Sequence, residues 1–414
     1  MRKAIYDVAI VGGGLLGATL ADLLSRQKLR VALIEQTPFT TEKPFDNDAR
    51  SLALSYGTRS VLERWGLWTD LVSHTAAIKH IHISERGRLA QVRLDHAQER
   101  VPALGYVIEN GSLGQVLWKR ISAQTAQCDV YCPAQLVSFS VENDLVALCL
   151  RGADGDQNDK EINARLVVAA DGVHSRVRSD LGIPIQQRAY GQSAVVVNIG
   201  VDQPSAAVAY EYFTATGPLA ALPLPPHTAQ DHGRFAIVWT LKESDAQGIA
   251  DLSDQEFIAA LQAALGFKAG RIVQTGKRAV FPLHLVYATE ATGQRIALIG
   301  NAMHTLHPVA GQGFNLGIRD VMILADLLKI AQRQGDDYGA TYLLHQFAER
   351  RKQDQQQVIR ITDALARGFT SQFLPVVCLR QLGLLAIDSL PGLKSRLARQ
   401  MMGLNTPLPC MSDV

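Results

Sequence analysis

Three groups of residues in this chain have types and spacings that suit chemistry. Gly12, Gly14 and Gly17 form a G-x-G-x-x-G turn: the first glycine permits a tight bend, the second lets backbone approach a pyrophosphate, and the third lets a helix pack on a sheet. Glu35 stands eighteen residues past Gly17, where its carboxylate accepts hydrogen bonds from both ribose hydroxyls of an adenosine and repels a 2′-phosphate. FAD and NAD both satisfy this pair of signals; NADP does not. The second group lies in "LIGNAMHTLHPVAGQGFNLGIRD", residues 298–320, where Asn301, His304, His307, Pro308, Gly311, Gln312, Gly313 and Asn315 crowd a bend ahead of a helix. The third is the pair Asp171 and Gly172 at the end of an apolar run.

The two histidines invite a metal reading, but their spacing needs a helix and further ligands, and Pro308 follows at once with no third ligand apparent. No metal is expected. His304 reads as a loop histidine bonded to backbone, and His307 as the same or as a group touching a cofactor edge or a substrate.

The elements that must position these residues can be traced outward. "YDVAIV" is a short β-branched run ending at Gly12, and "LLGATLADLLSRQK" carries leucines at helical spacing, so the glycines join a strand to a helix. The helix then turns its unpaired N–H groups and positive dipole end toward phosphate. "RVALIE" is a second strand, "ARLVVAADG" (164–172) a third, ending in Asp171 and Gly172, and "RIALIGN" (295–301) a fourth. Between them lie alternating segments such as "SAVVVNIGV" and "RFAIVWTL", which read as antiparallel sheet. A cofactor fold interrupted twice by a β-rich domain suits a long, extended cofactor with its working ring at the domain interface. FAD has that length. A helix starting near Asn315 would aim its amides at the negative charge that appears on a reduced flavin.

The expected fold class is therefore α/β, with a Rossmann-like FAD-binding domain interleaved with a β-rich substrate domain and followed by a C-terminal helical region. The expected boundaries are 1–75, 103–182 and 284–365 for the FAD-binding domain, 76–102 and 183–283 for the substrate domain, and 366–414 for the helical region.

Bulk properties exclude other classes. The chain has 414 residues, 47% hydrophobic, with 41 basic and 39 acidic side chains mixed along it, so no basic block advertises nucleic acid. Its five cysteines include no CxxC pair, which fits neither a disulfide framework nor a zinc site and points to a reducing cytoplasm. No apolar run reaches the ~18 residues that a membrane span needs. The nearest approach is "FLPVVCLRQLGLLAI" (373–387), cut by Pro375 and Arg380. From Phe369 to Met402 the chain is rich in Leu, Val and Phe with Arg380, Lys394, Arg396 and Arg399 among them, as in an interfacial helix on anionic lipid or a helical bundle packed on the body or on another subunit. Trp65 and Trp68 read as core packing. Phe213, Leu219 and Leu222 read either as the lining of a pocket for an apolar tail or as sheet core.

The glycine turn, the run Asp48-Ala49-Arg50-Ser51-Leu52-Ala53-Leu54, "ADGVHSRVR" and "HPVAGQGFNLGIRD" together resemble the single-component flavin aromatic monooxygenases related to p-hydroxybenzoate hydroxylase, over residues 5–365. Within that group "HISERG", "GPLAALPL", "GKRAVFPL" and "GNA" are most similar to the ubiquinone-biosynthesis hydroxylases, and among these to the hydroxylases of 2-polyprenyl-6-methoxyphenol. The resemblance implies NAD(P)H reduction of FAD and transfer of one atom of O₂ to a polyprenylated phenol, giving in that case the 1,4-benzoquinol. A sibling hydroxylase acting at another ring position and a flavin reductase of isoprenoid lipids are the alternatives.

By the same resemblance Gly12, Gly14 and Gly17 hold the pyrophosphate, Glu35 the ribose, and Asn301 the ribityl chain. Asp171 and Gly172 form a second fingerprint for FAD and NAD(P)H, and Pro308, Gly311, Gln312, Gly313 and Asn315 lie beside the isoalloxazine. Arg50 lies near the flavin or pairs with Asp48 at the surface; Arg50 and His307 are the candidate catalytic groups. Asn301 replaces the aspartate of the wider group, so the bond to the ribityl hydroxyl remains while the charge is lost. An insoluble substrate implies peripheral contact with the inner membrane from the cytoplasm, or a multi-enzyme ubiquinone-biosynthesis complex.

Overall fold

The computed structural model describes residues 4–38, 50–152, 159–203, 206–214, 216–226, 233–370 and 374–404. Asp48 and Cys410 lie outside the described residues. The expected α/β fold with an interleaved β-rich layer and a helical C-terminal region is what the chain adopts.

At its centre four parallel strands run in the order Ile296–Leu298, Lys160–Ala169, Ile5–Val11 and Val31–Ile34, with Cys128–Tyr131 parallel beyond them. Val8, Ala9 and Ile10 are fully buried. Such strands are covered on both faces, which is why their sequences are continuous apolar runs without alternation. The first helix, Leu15–Arg26, packs against helix Asn110–Ser122 and against the long helix Gln312–Gln334.

The second layer is a nine-stranded sheet that follows the order His304–Thr305, Ala279–Ala288, Ile185–Val201, Gly233–Lys242, Pro218–Leu224, Val208–Phe213, His80–Glu85 and Gln91–Asp95, with Ile272–Thr275 paired to Ile185–Val201 off that path. Here the residues do alternate, because the two faces differ. One face packs on helix Asp254–Leu265 through Tyr210, Tyr212, Leu219, Phe257 and Leu261. The other carries Ile83, Ala209, Phe213 and Leu222 and faces a cavity. The three residues read as pocket or core thus divide: Leu219 belongs to the core, while Phe213 and Leu222 line the cavity. Trp65 and Trp68 are both buried in the core.

The two-residue strand His304–Thr305 pairs with Ala279–Ala288, so the segment leaving the parallel sheet at Leu298 is tied to the antiparallel one within a few residues. The tail forms two helices, Leu374–Ser389 and Pro391–Met401. Leu384, Ala398 and Met402 bury against Ile83, Val92 and Phe213, and Arg380 donates to Glu85 across the same seam. The tail therefore packs on the body, yet Leu382, Leu385, Leu390 and Leu393 stay 40–64% exposed. Among the described residues no helix is long and apolar enough to cross a membrane.

Candidate functional site

At the glycine turn the absence of side chains creates the geometry. Gly12 has φ +105°, and a Cβ there would stand 2.4 Å from the Ala170 carbonyl oxygen. A Cβ at Gly17 would stand 1.9 Å from the Gly12 carbonyl oxygen, so the first helix lies directly on the turn. Gly14 begins that helix with no side-chain cap and open space where its Cβ would be. The first-turn N–H groups are left for a ligand. Glu35 accepts from the Gly13 N–H at 2.6 Å and, through its other oxygen, from the Thr37 N–H at 2.7 Å. The same carboxylate therefore braces the turn that it borders.

Asp171 accepts from the N–H groups of Arg176 at 2.9 Å and Val177 at 3.3 Å, capping helix Arg176–Asp180. Its other oxygen is buried without a partner among the described residues. Gly172 has φ +86° with open space beside it. Arg50 is exposed and stacks its guanidinium 5.4 Å from the centre of the Phe281 ring. Asn301 is exposed in the short turn Gly300–Ala302.

The segment around Pro308 departs from the sequence reading in one respect. The long helix begins at Gln312, not near Asn315. Gln312, Gly313 and Asn315 read as loop formers, but Gly311 takes the left-handed conformation (φ +58°, ψ +31°) that reverses the chain just before them. Asn315 is consumed structurally. Its amide donates to the carbonyls of Ala53 and Gly311, both at 2.8 Å, and its oxygen accepts from the Ser55 N–H at 2.9 Å and the Thr58 hydroxyl at 2.7 Å. This clamp ties the helix start to strand Ser51–Ser55.

His304 also differs from expectation. It bonds not to backbone but to the Asp320 carboxylate at 2.8 Å, with both side chains fully buried. Arg351 and Gln355 donate to the other Asp320 oxygen at 2.8 and 3.0 Å, the Gly300 N–H reaches Asp320 at 3.1 Å, and Arg351 and Arg319 both meet Asp354. Burial alone would raise the Asp320 carboxyl, but the charges of His304 and Arg351 and their hydrogen bonds outweigh it and hold it well below the usual carboxylate range. This network was not foreseen. "GIRD" and "ERRKQDQQQ" signal only helix, and the pairing spans 31 to 35 residues.

His307 is 1% exposed, and burial pushes its imidazole down to about 4, so it is neutral near pH 7. Nδ1 accepts from the Val309 N–H at 3.2 Å. A neutral ring then carries its proton on Nε2, which is buried with no partner among the described residues. Tyr190 meets the ring edge-on at 5.1 Å, its hydroxyl donating to Asp363 at 3.1 Å.

His307, Pro308, Gly311, Gln312 and Gly313 form one end of a cavity of about 400 Å³. Its walls are the inner face of the antiparallel sheet and the tail residues Leu384, Ile387, Leu397 and Met401. The lining is apolar apart from a few groups, among them Glu211 on strand Val208–Phe213, a residue that sequence reading passed over. Burial raises its carboxyl to about 7. A single acid on the apolar face of "VAYEYF" was the available signal.

A bare glycine cradle at an uncapped helix end, a carboxylate just past the second strand, an unpartnered buried Asp171 oxygen and a glycine-bent loop on an apolar cavity together fit an extended FAD. Residues 5–362 match the FAD binding domain family. The chain belongs to that family. The ubiquinone hydroxylase UbiL of Rhodospirillum rubrum is 34% identical over 399 residues, covering 96% of this chain and 90% of the relative. The 3-demethoxyubiquinol 3-hydroxylase of Escherichia coli K12 is 30% identical, with 98% and 100% covered. The fold is that of p-nitrophenol 4-monooxygenase PnpA from Pseudomonas putida DLL-E4, at a TM-score of 0.78 and 18% identity with 98% and 100% covered. This member of the family is an FAD-dependent monooxygenase that uses NAD(P)H, of the ubiquinone-biosynthesis hydroxylase group.

Proposed function

We propose that the enzyme hydroxylates 2-polyprenyl-6-methoxyphenol to 2-polyprenyl-6-methoxy-1,4-benzoquinol. The observation that carries this reading is the apolar cavity, which begins at the Pro308 loop and ends against the tail helices. At about 400 Å³ it suits a phenol ring with the first part of an isoprenoid chain. Bound FAD supplies reduction by NAD(P)H and activation of O₂. The chain's residues do the holding. Gly12, Gly14 and Gly17 admit the pyrophosphate, Glu35 the ribose and Asn301 the ribityl chain, while Asp171, Gly172 and Arg50 border the cofactor. Pro308, Gly311, Gln312, Gly313 and the backbone at Asn315 lie along the ring, and the Nε2–H of His307 faces the ring edge or the phenol. The walls exclude water from the reacting carbon.

Residues 1–75, 103–182 and 284–365 form the cofactor half in this reading, 76–102 and 183–283 the substrate half, and 366–414 the helical region. Exposed Leu382, Leu385, Leu390 and Leu393 beside Arg396 and Arg399 favour peripheral contact with anionic lipid at the cytoplasmic face of the inner membrane, or with partners in a ubiquinone-biosynthesis assembly. A second reading, hydroxylation at a sibling ring position, is favoured by the likeness to 3-demethoxyubiquinol 3-hydroxylase.

Deleting the gene in its host and identifying the accumulating prenylphenol separates the two. Accumulation of 2-polyprenyl-6-methoxyphenol is expected. An intermediate lacking a different hydroxyl transfers the assignment to the sibling position, and an unchanged quinone pool overturns both.

A further inference from the structure

Strand Val208–Phe213 sits between Pro218–Leu224 and His80–Glu85, with Glu211 opposite Ala220 on one neighbour and Ile83 on the other. Alternation sends Tyr210 and Tyr212 into the helix-backed core and Ala209, Glu211 and Phe213 toward the cavity. A charged side chain among alanine, isoleucine and phenylalanine costs stability unless it is paired. Glu211 makes no hydrogen bond or ion pair among the described residues. On the tail helices Arg380 binds Glu85, and Lys394 binds Asp388. Arg396 and Arg399, on helix Pro391–Met401, are not among the cavity-lining residues, and among the described residues Glu211 is the only charged one that is. The other titratable groups that reach the lining are Tyr210, whose ring packs in the helix-backed core, and His307, which is neutral. Among the described residues neither tail helix nor the neighbouring strands supply Glu211 with a cation.

An unpaired carboxylate kept on a cavity wall, with the flavin-side loop at one end of the same cavity, is placed for a substrate. We propose that Glu211 is the base that accepts the phenolic proton of the bound substrate. This rests on the reading of the cavity as a prenylphenol site. The phenol O–H bond breaks, its proton passes to the Glu211 carboxylate, and its electron pair stays on the substrate oxygen. The electron-rich ring then gains one oxygen atom from O₂ at carbon and releases that carbon's proton. The second oxygen atom leaves as water, and NAD(P)H supplies the two electrons. Because burial raises the Glu211 carboxyl to about 7, its basic form grows in as pH rises through neutrality, close to the optimum for a general base.

The experiment uses FAD-loaded full-length enzyme with 2-geranyl-6-methoxyphenol as the probe, following product formation and the absorbance of the bound phenolate across pH 5–9. In the wild type both should rise with pH through a limb near 7. Glu211→Gln should lower kcat by about 100-fold or more, the low end of the range for a lost general base, with KM changed far less and no bound phenolate signal; Glu211→Asp should restore part of both. Glu211→Leu should also be inactive but more heat-stable than wild type. The sign follows from the raised carboxyl: its contribution to stability is present below the ordinary glutamate range and is lost as pH rises through about 7. The Tm gain of Glu211→Leu should therefore be larger at pH 8 than at pH 5, whereas a structural role would lower Tm. A Glu211→Gln enzyme with unchanged kcat and pH profile overturns the assignment and leaves the cavity reading standing. A flavin-loaded wild type that yields no hydroxylated product overturns that reading and the assignment with it.

Discussion

Two helix starts carry this molecule's chemistry, and they are positioned in opposite ways. The first, at Gly14, is held by what is missing: Gly12 and Gly17 lack side chains, and backbone rests on backbone. The second, at Gln312, is held by what is present. Asn315 clamps it through four hydrogen bonds, and one turn later Asp320 ties it to His304, Arg351 and Gln355. In the proposed reading the first start meets a cofactor phosphate whose shape is fixed, so a rigid backbone notch suffices. In the same reading the second holds a loop against both a ring and a variable substrate, and a network of directional bonds fixes that loop without filling the cavity.

The contrast is broken most severely at the first start. Gly17→Ala places a methyl 1.9 Å from the Gly12 oxygen and 3.2 Å from the Ala170 Cβ. The variant is expected to purify without FAD or not to fold, seen as loss of the flavin absorbance and of the cooperative thermal transition. A Gly17→Ala protein with normal flavin content would show that the helix can slide away from the turn. At the second start Asp320→Asn leaves Arg351 buried with reduced compensation and should cost about 3–5 kcal/mol of folding stability in denaturant titration. Its pH dependence has a definite sign. Because the Asp320 carboxyl is depressed, its contribution is present above the ordinary aspartate range and is lost as pH falls through the lower folded value. Wild type should thus lose stability on acidification where Asp320→Asn does not.

These two regions were unequally legible in the sequence. The first could be read because its rule is local: G-x-G-x-x-G between a β-branched run and a leucine-spaced helix, then an acid closing the next strand. The loop at Pro308 was legible as a bend but not in detail. Gly313 and Asn315 have weak helix propensity, and only the clamp to Ala53, Ser55 and Thr58, more than 250 residues away, explains why the helix starts so early. His304 was misread for the same reason, its partner being set by tertiary packing. Glu211 was hidden because one acid in a strand is ordinarily a solvated residue, and only the sheet order shows that this face looks into a cavity.

Smaller effects sharpen the comparison. Asn315→Ala should cost about 2 kcal/mol, since Ser55 N–H and the Ala53 carbonyl lose their partner. It should loosen the Pro308 loop while leaving the pyrophosphate end intact, so turnover should fall more than FAD affinity; an equal loss of both would mean that the two starts are not independent. Glu35→Gln should weaken FAD binding by about tenfold, as one charge-assisted hydrogen bond becomes neutral, with little change in turnover of the loaded enzyme.

The central claim is that the phenol lies in the apolar cavity between the Pro308 loop and the tail helices. A crystal structure of the FAD-loaded enzyme with a short-chain prenylphenol tests it most directly. The account predicts the aromatic ring between residues 308–313 and Glu211, with the isoprenoid tail running toward Leu384 and Met401. Density for the phenol anywhere else, with that cavity filled by ordered water, would contradict it.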